Sequence, residues 1–205
     1  MNKIDSYINS FIEYPNPLLE SLEEQHKSRI NIQPNMTKQG AQLLYMLILM
    51  NKTKRVLEIG TCVGYSAIWA GEALRKCAGE LITIEKDIRF VKENIINIGQ
   101  AGLSDIITVK HGDARDVIKE LSGEFDLIII DSNKPLYNDI IDTCINMLKD
   151  GGLIFADDTL FKPMGFKDRL ALPMDQYNKY VCNHPELVTT ILPLGDGITL
   201  SVKSK

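Results

Sequence analysis

Three carboxylates and one lysine stand close together in the second half of the chain. Asp131-Ser132-Asn133-Lys134 follows one short apolar run and Asp157-Asp158-Thr159 follows the next. If those runs are neighbouring strands, Asp131, Asp157 and Asp158 fall at their carboxyl ends, the edge where open α/β sheets bind ligands. Acids converging there repel one another and gain raised pKa values unless a cation sits between them. A hard, oxygen-seeking ion such as Mg²⁺, or Mn²⁺ or Ca²⁺ in its place, is the economical partner. Such an ion can take substrate oxygens, orient a hydroxyl and lower its pKa, and Lys134, three residues beyond Asp131, is near enough to remove the proton. Taken singly, Asp131 and Asp158 read as helix caps and Lys134 as a solvated lysine. Their conjunction is what points to chemistry.

A second constellation precedes it. Val56-Leu57-Glu58-Ile59-Gly60-Thr61-Cys62-Val63-Gly64-Tyr65-Ser66 reads as a strand, a tight glycine turn and the start of a helix, the place where a Rossmann-like fold binds its nucleotide. The spacing is E-x-G-x-x-x-G rather than the dinucleotide fingerprint, and an acid before the turn would repel a pyrophosphate. This disfavours a nicotinamide dehydrogenase and favours a cofactor with a cationic end. S-adenosylmethionine fits: Glu58 can meet its ammonium group, directly or through water, and Gly60 and Gly64 let the backbone approach closely. Glu85, about twenty residues on, has the position of a ribose-binding acid. Asp113, in His111-Gly112-Asp113-Ala114, can accept from the adenine amino group or cap the next helix.

These residues need a scaffold that brings strand ends together. From Arg55 onward, β-rich runs (Val56–Ile59, Leu81–Glu85, Ile106–Lys110, Phe125–Asp131, Leu153–Asp157) alternate with helical periodicity (Tyr65–Lys76, Ile88–Gln100, Ala114–Leu121, Tyr137–Leu148). That alternation predicts right-handed β-α-β units in an α/β, Rossmann-like doubly wound sheet with helices on both faces. The nearly unbroken apolar run from Phe125 to Ile130 belongs mid-sheet, and Lys149-Asp150-Gly151-Gly152 reads as a helix stop. Val188–Leu194 and Ile198–Val202 flank Gly195-Asp196-Gly197, which predicts a closing antiparallel hairpin. Pro17–Arg29 and Lys38–Met50 read as two helices ahead of the sheet, covering the site or another subunit.

The length of 205 residues suits one domain spanning residues 1–205. No run approaches the length of a membrane span, and the amino terminus lacks signal-peptide character, so the expected location is cytoplasmic. Cys62, Cys77, Cys144 and Cys182 are scattered without zinc spacing and read as reduced packing residues. A net charge of -4 favours a small-molecule substrate over nucleic acid.

Together these segments resemble the cation-dependent O-methyltransferases, which include catechol and caffeoyl-CoA O-methyltransferases and small bacterial relatives. The resemblance runs from about Met36 to Val202. It rests on Leu57 to Thr61 with Gly64-Tyr65-Ser66, Gly112-Asp113-Ala114, Asp131-x-x-Lys134-x-x-Tyr137, Asp157 to Phe161, and Leu192 to Gly197. It implies a seven-stranded sheet with one antiparallel strand and a homodimer. It also implies metal ligation by Asp131, Asp157 and Asp158, and Lys134 as general base. Cofactor contacts are implied from Met36, Glu58, Gly60, Ser66, Glu85, Asp113, Ala114 and Asp131. Two positions depart from the family pattern: Asp158 stands where Asn is common, so a cation would face three carboxylates, and Asn133 replaces an acid. The segment from Phe161 to Met174 reads as a short variable loop facing the acceptor.

The resulting expectation is S-adenosylmethionine- and metal-dependent methylation of a small catechol-like phenol, whose adjacent hydroxyls chelate one ion. A rival is methylation of 5-hydroxyuridine in tRNA, since the enzymes that do so share a tail similar to Asp175-Gln176-Tyr177-Asn178 with Asn183-His184-Pro185. There an RNA loop would meet a local patch of Lys162, Lys167 and Arg169. A third reading is a cofactor-binding protein without catalysis, with Asn133 and Asp158 as its support. No membrane partner is expected.

Overall fold

The computed structural model describes residues 3–29, 32 and 35–204. Three helices, α1 (Lys3–Asn9), α2 (Leu18–Ser28) and α3 (Lys38–Asn51), precede the sheet. Then follow β1 (Arg55–Ile59), α4 (Tyr65–Cys77), β2 (Glu80–Glu85), α5 (Ile88–Gln100), β3 (Ile107–His111), α6 (Ala114–Val117) with a 3-10 turn, and β4 (Phe125–Ile130). The chain ends with α7 (Lys134–Met147), β5 (Leu148–Ala156), α8 (Asp168–Asn183), β6 (Leu187–Leu192) and β7 (Ile198–Lys203).

The strands form one sheet in the order β3-β2-β1-β4-β5-β7-β6. β1 to β5 pair in parallel, and β7 runs antiparallel to both β5 and β6, so the expected closing hairpin and single reversed strand are present. β1 and β4 are adjacent although far apart in sequence, and the chain departs from them toward opposite edges. At such a switch point the connecting loops diverge and leave a crevice above the strand ends.

β4 is central for the reason its composition predicts. Leu127 and Ile129 pack into the core under α3 and α4, whereas Ile128 and Ile130 pack into the opposite core under α7 and α8. Trp69 and Phe155 are fully buried in the first layer, and Tyr137 and Tyr177 in the second. Among the described residues, no helix is long and apolar enough to cross a membrane.

Most boundaries shift by a few residues, and three differences bear on the site or its approach. α7 begins at Lys134 rather than Tyr137, because Asn133 and Pro135 suit the positions flanking a first helical residue. β5 begins at Leu148, so Lys149 to Gly152 belong to a strand whose register shifts opposite Phe125 and Leu127, not to a helix stop. The segment expected as a variable loop holds the first turns of α8, with Pro173 inside the helix.

Candidate active site

The glycine turn after β1 is locked from three sides. Gly60 has φ +88°, and a Cβ there would lie 2.1 Å from the Asp131 carbonyl oxygen; Gly64 has φ +92°, with Asn94 Oδ1 2.7 Å from its virtual Cβ. Two buried α5 asparagines brace the turn, Asn94 donating to Thr61 Oγ1 at 3.0 Å and Asn97 to the Val63 carbonyl at 2.8 Å. From β2, Glu85 accepts from the Cys62 N–H at 3.0 Å and, with its other oxygen, from the Asp87 N–H at 2.8 Å. Gly60→Ala therefore combines a disfavoured φ with a backbone clash that no side chain can relieve. The expected cost is about 3 kcal/mol or more, read as a lowered denaturation midpoint with loss of cofactor binding.

Glu58 is completely buried, accepting from Ser66 Oγ at 2.6 Å and Thr83 Oγ1 at 2.5 Å. Ser66 reaches the cavity wall and Glu58 does not, so Glu58 acts on that wall through Ser66. Burial pushes its carboxyl up to about 7, against the three hydroxyl hydrogen bonds that favour the charge. A carboxyl with a raised folded pKa stabilises the fold fully below its unfolded pKa. That contribution is lost as pH climbs from about 4.5 to about 7. Relative to Glu58→Gln, the wild type should lose roughly 3 kcal/mol of stability across that interval, a slope that denaturant titrations at several pH values would resolve.

Above the strand ends lies a cavity of about 1030 Å³. One end is walled by Gly60, Cys62, Ser66, Glu85, Asp113 and Ala114, with Met36 from the approach to α3; the other by Asp131, Lys134 and Asp158, with Phe161, Phe166 and Leu170 above them. Asp113 caps α6 by accepting from the Arg115 N–H at 3.0 Å. It also pairs with Arg115 at 2.7 Å and Lys86 at 2.8 Å, and these cations hold its carboxyl far below the usual range. Asp113 thus caps α6, one of its two expected roles, and also lines the cavity.

At the second end, Lys134 is only 8% exposed and its Nζ lies 2.8 Å from Asp158 and 3.9 Å from Asp131. Nζ also donates to the Tyr137 hydroxyl at 3.2 Å, and that hydroxyl donates to the Asp157 carbonyl at 2.9 Å. The lysine is thereby tied to the end of β5. Burial raises the Asp131 carboxyl to about 6, Lys134 opposing the shift and Asp158 adding to it. Burial, then Asp131 and Asp158, raises Asp157 well above its ordinary value. Asp158 adopts the left-handed region at φ +61°, which Asp and Asn tolerate best among non-glycine residues.

The structure brings the three acids to one sheet edge, as expected, without gathering them around one point. Asp131 and Asp158 face the Lys134 ammonium, while Asp157 Oδ1 accepts from the Asp158 N–H at 2.9 Å. Among the described residues no three acidic, histidine or cysteine side chains form a ready-made cage. The donor set itself, all carboxylate oxygen and short of positive charge, suits a hard divalent ion.

Some residues at the site carry little functional signal in the sequence. Tyr137, buried behind the cavity wall, occurs in the motif by spacing alone, yet its hydroxyl joins Lys134 to the end of β5. Phe161 and Phe166 stack 4.2 Å apart at 12°, a pairing visible in sequence only as two aromatics five residues apart around Pro163 and Gly165. Asp196 reaches the cavity from the β6–β7 turn, and burial beside Asp158 raises its carboxyl pKa. Lys167 and Arg169 are exposed near this wall, whereas Lys162 pairs with Asp175.

A profile described as O-methyltransferase matches residues 9–204. The chain is 34% identical over 165 residues to a catechol O-methyltransferase of Niastella koreensis, covering 77% of this chain and 72% of that one. It is 30% identical over 202 residues to caffeoyl-CoA O-methyltransferase 1 of Eucalyptus globulus, covering 91% and 81%. The fold superposes on the O-methyltransferase TomG of Streptomyces achromogenes, solved in complex with SAM, with a TM-score of 0.89 at 22% identity, over 100% and 97% of the two chains. An O-methyltransferase of Bacillus cereus in complex with SAH gives 0.85 at 22% identity, over 98% and 96%.

Proposed function

The chain belongs to the O-methyltransferase family, and from that membership we propose that it methylates a hydroxyl of a small catechol-like phenol, with S-adenosylmethionine as donor and a divalent cation bound by Asp131, Asp157 and Asp158. The observation that carries the reading is the continuous cavity from the glycine turn to the Lys134 centre. The named catechol and caffeoyl-CoA enzymes among its relatives and the SAM- and SAH-bound neighbours support it.

Glu85, Asp113 and Ala114 line the end of the cavity that would hold the nucleoside of the donor. Gly60, Ser66, Met36 and Asp131 line the amino-acid end. When bound, the donor supplies an electrophilic methyl group on a sulfonium and the cation supplies Lewis-acidic charge. The chain's own task is then placement and proton removal. Phe161 and Phe166 pack a flat ring, Lys134 Nζ takes the hydroxyl proton, and Tyr137 fixes where Nζ stands. Methyl transfer to an oxyanion cancels opposite charges, so the main contribution of the chain is placing the nucleophile against the methyl carbon.

One observation favours a second acceptor: residues 162–169 are exposed at the cavity wall and present the Lys167 and Arg169 side chains to solvent. A tRNA loop carrying 5-hydroxyuridine could use them as phosphate contacts. Labelled S-adenosylmethionine offered with a catechol or with unmodified tRNA, each with Mg²⁺ or EDTA, tests both. The expected result is EDTA-sensitive transfer with the higher kcat/KM on the catechol. The reverse order makes RNA the acceptor, and transfer unaffected by EDTA removes the cation from the proposal.

A further inference from the structure

We propose that in the cation-free protein the Lys134 ammonium is the resident counter-ion of the acid cluster, and that a divalent cation enters by displacing it. The inference rests on the cation-dependent reading above and concerns what this chain's own residues do before the ion arrives.

The geometry is that of an occupied cation position. Lys134 is the basic side chain, among the described residues, that pairs with either Asp131 or Asp158. It is 8% exposed, so its charge is largely removed from water, and its compensation comes from the carboxylates, the Tyr137 hydroxyl at 3.2 Å and the Tyr137 and Phe161 rings at 5.0 and 5.3 Å. Asp131 and Asp158 face this ammonium, Asp157 accepts instead from the Asp158 N–H, and among the described residues no three-acid cage exists. The contact at 2.8 Å is made by the carboxylate of Asp158. A neutral amide in its place could offer a hydrogen bond but no opposite charge.

An ammonium brings one charge to a site with three carboxylates, and a divalent ion brings two. The exchange is therefore electrostatically favourable, while the lysine competes for the same oxygens and weakens apparent affinity. The exchange also links two events. Lys134 is held in an ion pair until the ion is present, and the arrival of the ion releases its Nζ from Asp158.

Isothermal titration with Mn²⁺ alone, on the wild-type chain and on Lys134→Met, tests the competition. Loss of the ammonium should tighten Mn²⁺ binding by about tenfold or more. An unchanged or weaker affinity in Lys134→Met overturns the exchange. Nitrogen-detected NMR of ¹⁵N-lysine protein gives a second readout that does not depend on that variant folding. The Lys134 Nζ resonance, assigned by its absence from Lys134→Arg, should move as Mg²⁺ is added and saturate with binding. Saturable binding with an unmoved Nζ sinks the exchange while leaving the cation site standing. Absence of saturable binding in either protein defeats the cation site itself and the exchange with it.

Discussion

Asp131→Asn should lower methyl transfer by about a thousandfold or more, because losing this carboxylate weakens the hold on the proposed cation, whose Lewis-acidic charge would be worth several kcal/mol at the reacting oxygen. Asp131 serves both ends of the site: its backbone carbonyl abuts Gly60 and its side chain faces Lys134. The isosteric amide preserves the backbone contact, so the turn should remain formed and S-adenosylhomocysteine should still bind. Stability should not fall, since the substitution removes a carboxylate whose charge burial disfavours. Rate, ligand affinity and melting temperature measured together separate these consequences. A rate within about tenfold of wild type at saturating Mg²⁺ would show that Asp131 is not needed to hold the ion.

Lys134→Met should reduce kcat by about a hundred- to ten-thousandfold, the usual range for losing a positioned proton acceptor. KM for S-adenosylmethionine should be nearly unchanged, because the cofactor turn is held by Glu85, Asn94 and Asn97 rather than by Lys134. Single-turnover rates across pH provide the check. If the variant kept the wild-type rate and pH profile, the role of Lys134 would be reduced to charge balance. Tyr137→Phe should give a milder version of the same defect, since Nζ would lose its hydroxyl partner but remain beside Asp158.

Much of this site is legible in the amino-acid sequence. Glu58, Gly60, Glu85, Asp113, Asp131, Asp157 and Asp158 all stand at or beside strand ends, and strand ends follow from short apolar runs whose period and flanking turns are local properties. The two-faced burial of β4 is legible for the same reason. Features set by distant contacts are not. Glu58 looks in sequence like a ligand for a cationic cofactor, yet Thr83 of β2 takes one of its oxygens and Ser66 the other. Nothing local announces that competition. Lys134 as the partner of Asp158 depends on the adjacency of β4 and β5, and the start of α7 at Lys134-Pro135 is masked in sequence by the stronger apolar periodicity that follows. The early turns of α8 are hidden by Pro163, Gly165 and Pro173, which ordinarily punctuate loops. There the lost helical donor of Pro173 is tolerated, and its carbonyl accepts from Asn138 of α7 at 2.9 Å.

The contact between Gly60 and the Asp131 carbonyl makes the floor of the cavity joint property of the proposed donor and acceptor ends. A change there disturbs both at once and is hard to compensate. On the proposed reading the wall of Phe161, Phe166 and Leu170 belongs to the acceptor side alone, and it is carried by a segment exposed from residue 162 to 169. New acceptor preferences are therefore most readily reached by redrafting that segment, leaving the floor as inherited; a library confined to residues 161–170 should yield altered selectivity at a far higher frequency than one spread over the strand ends.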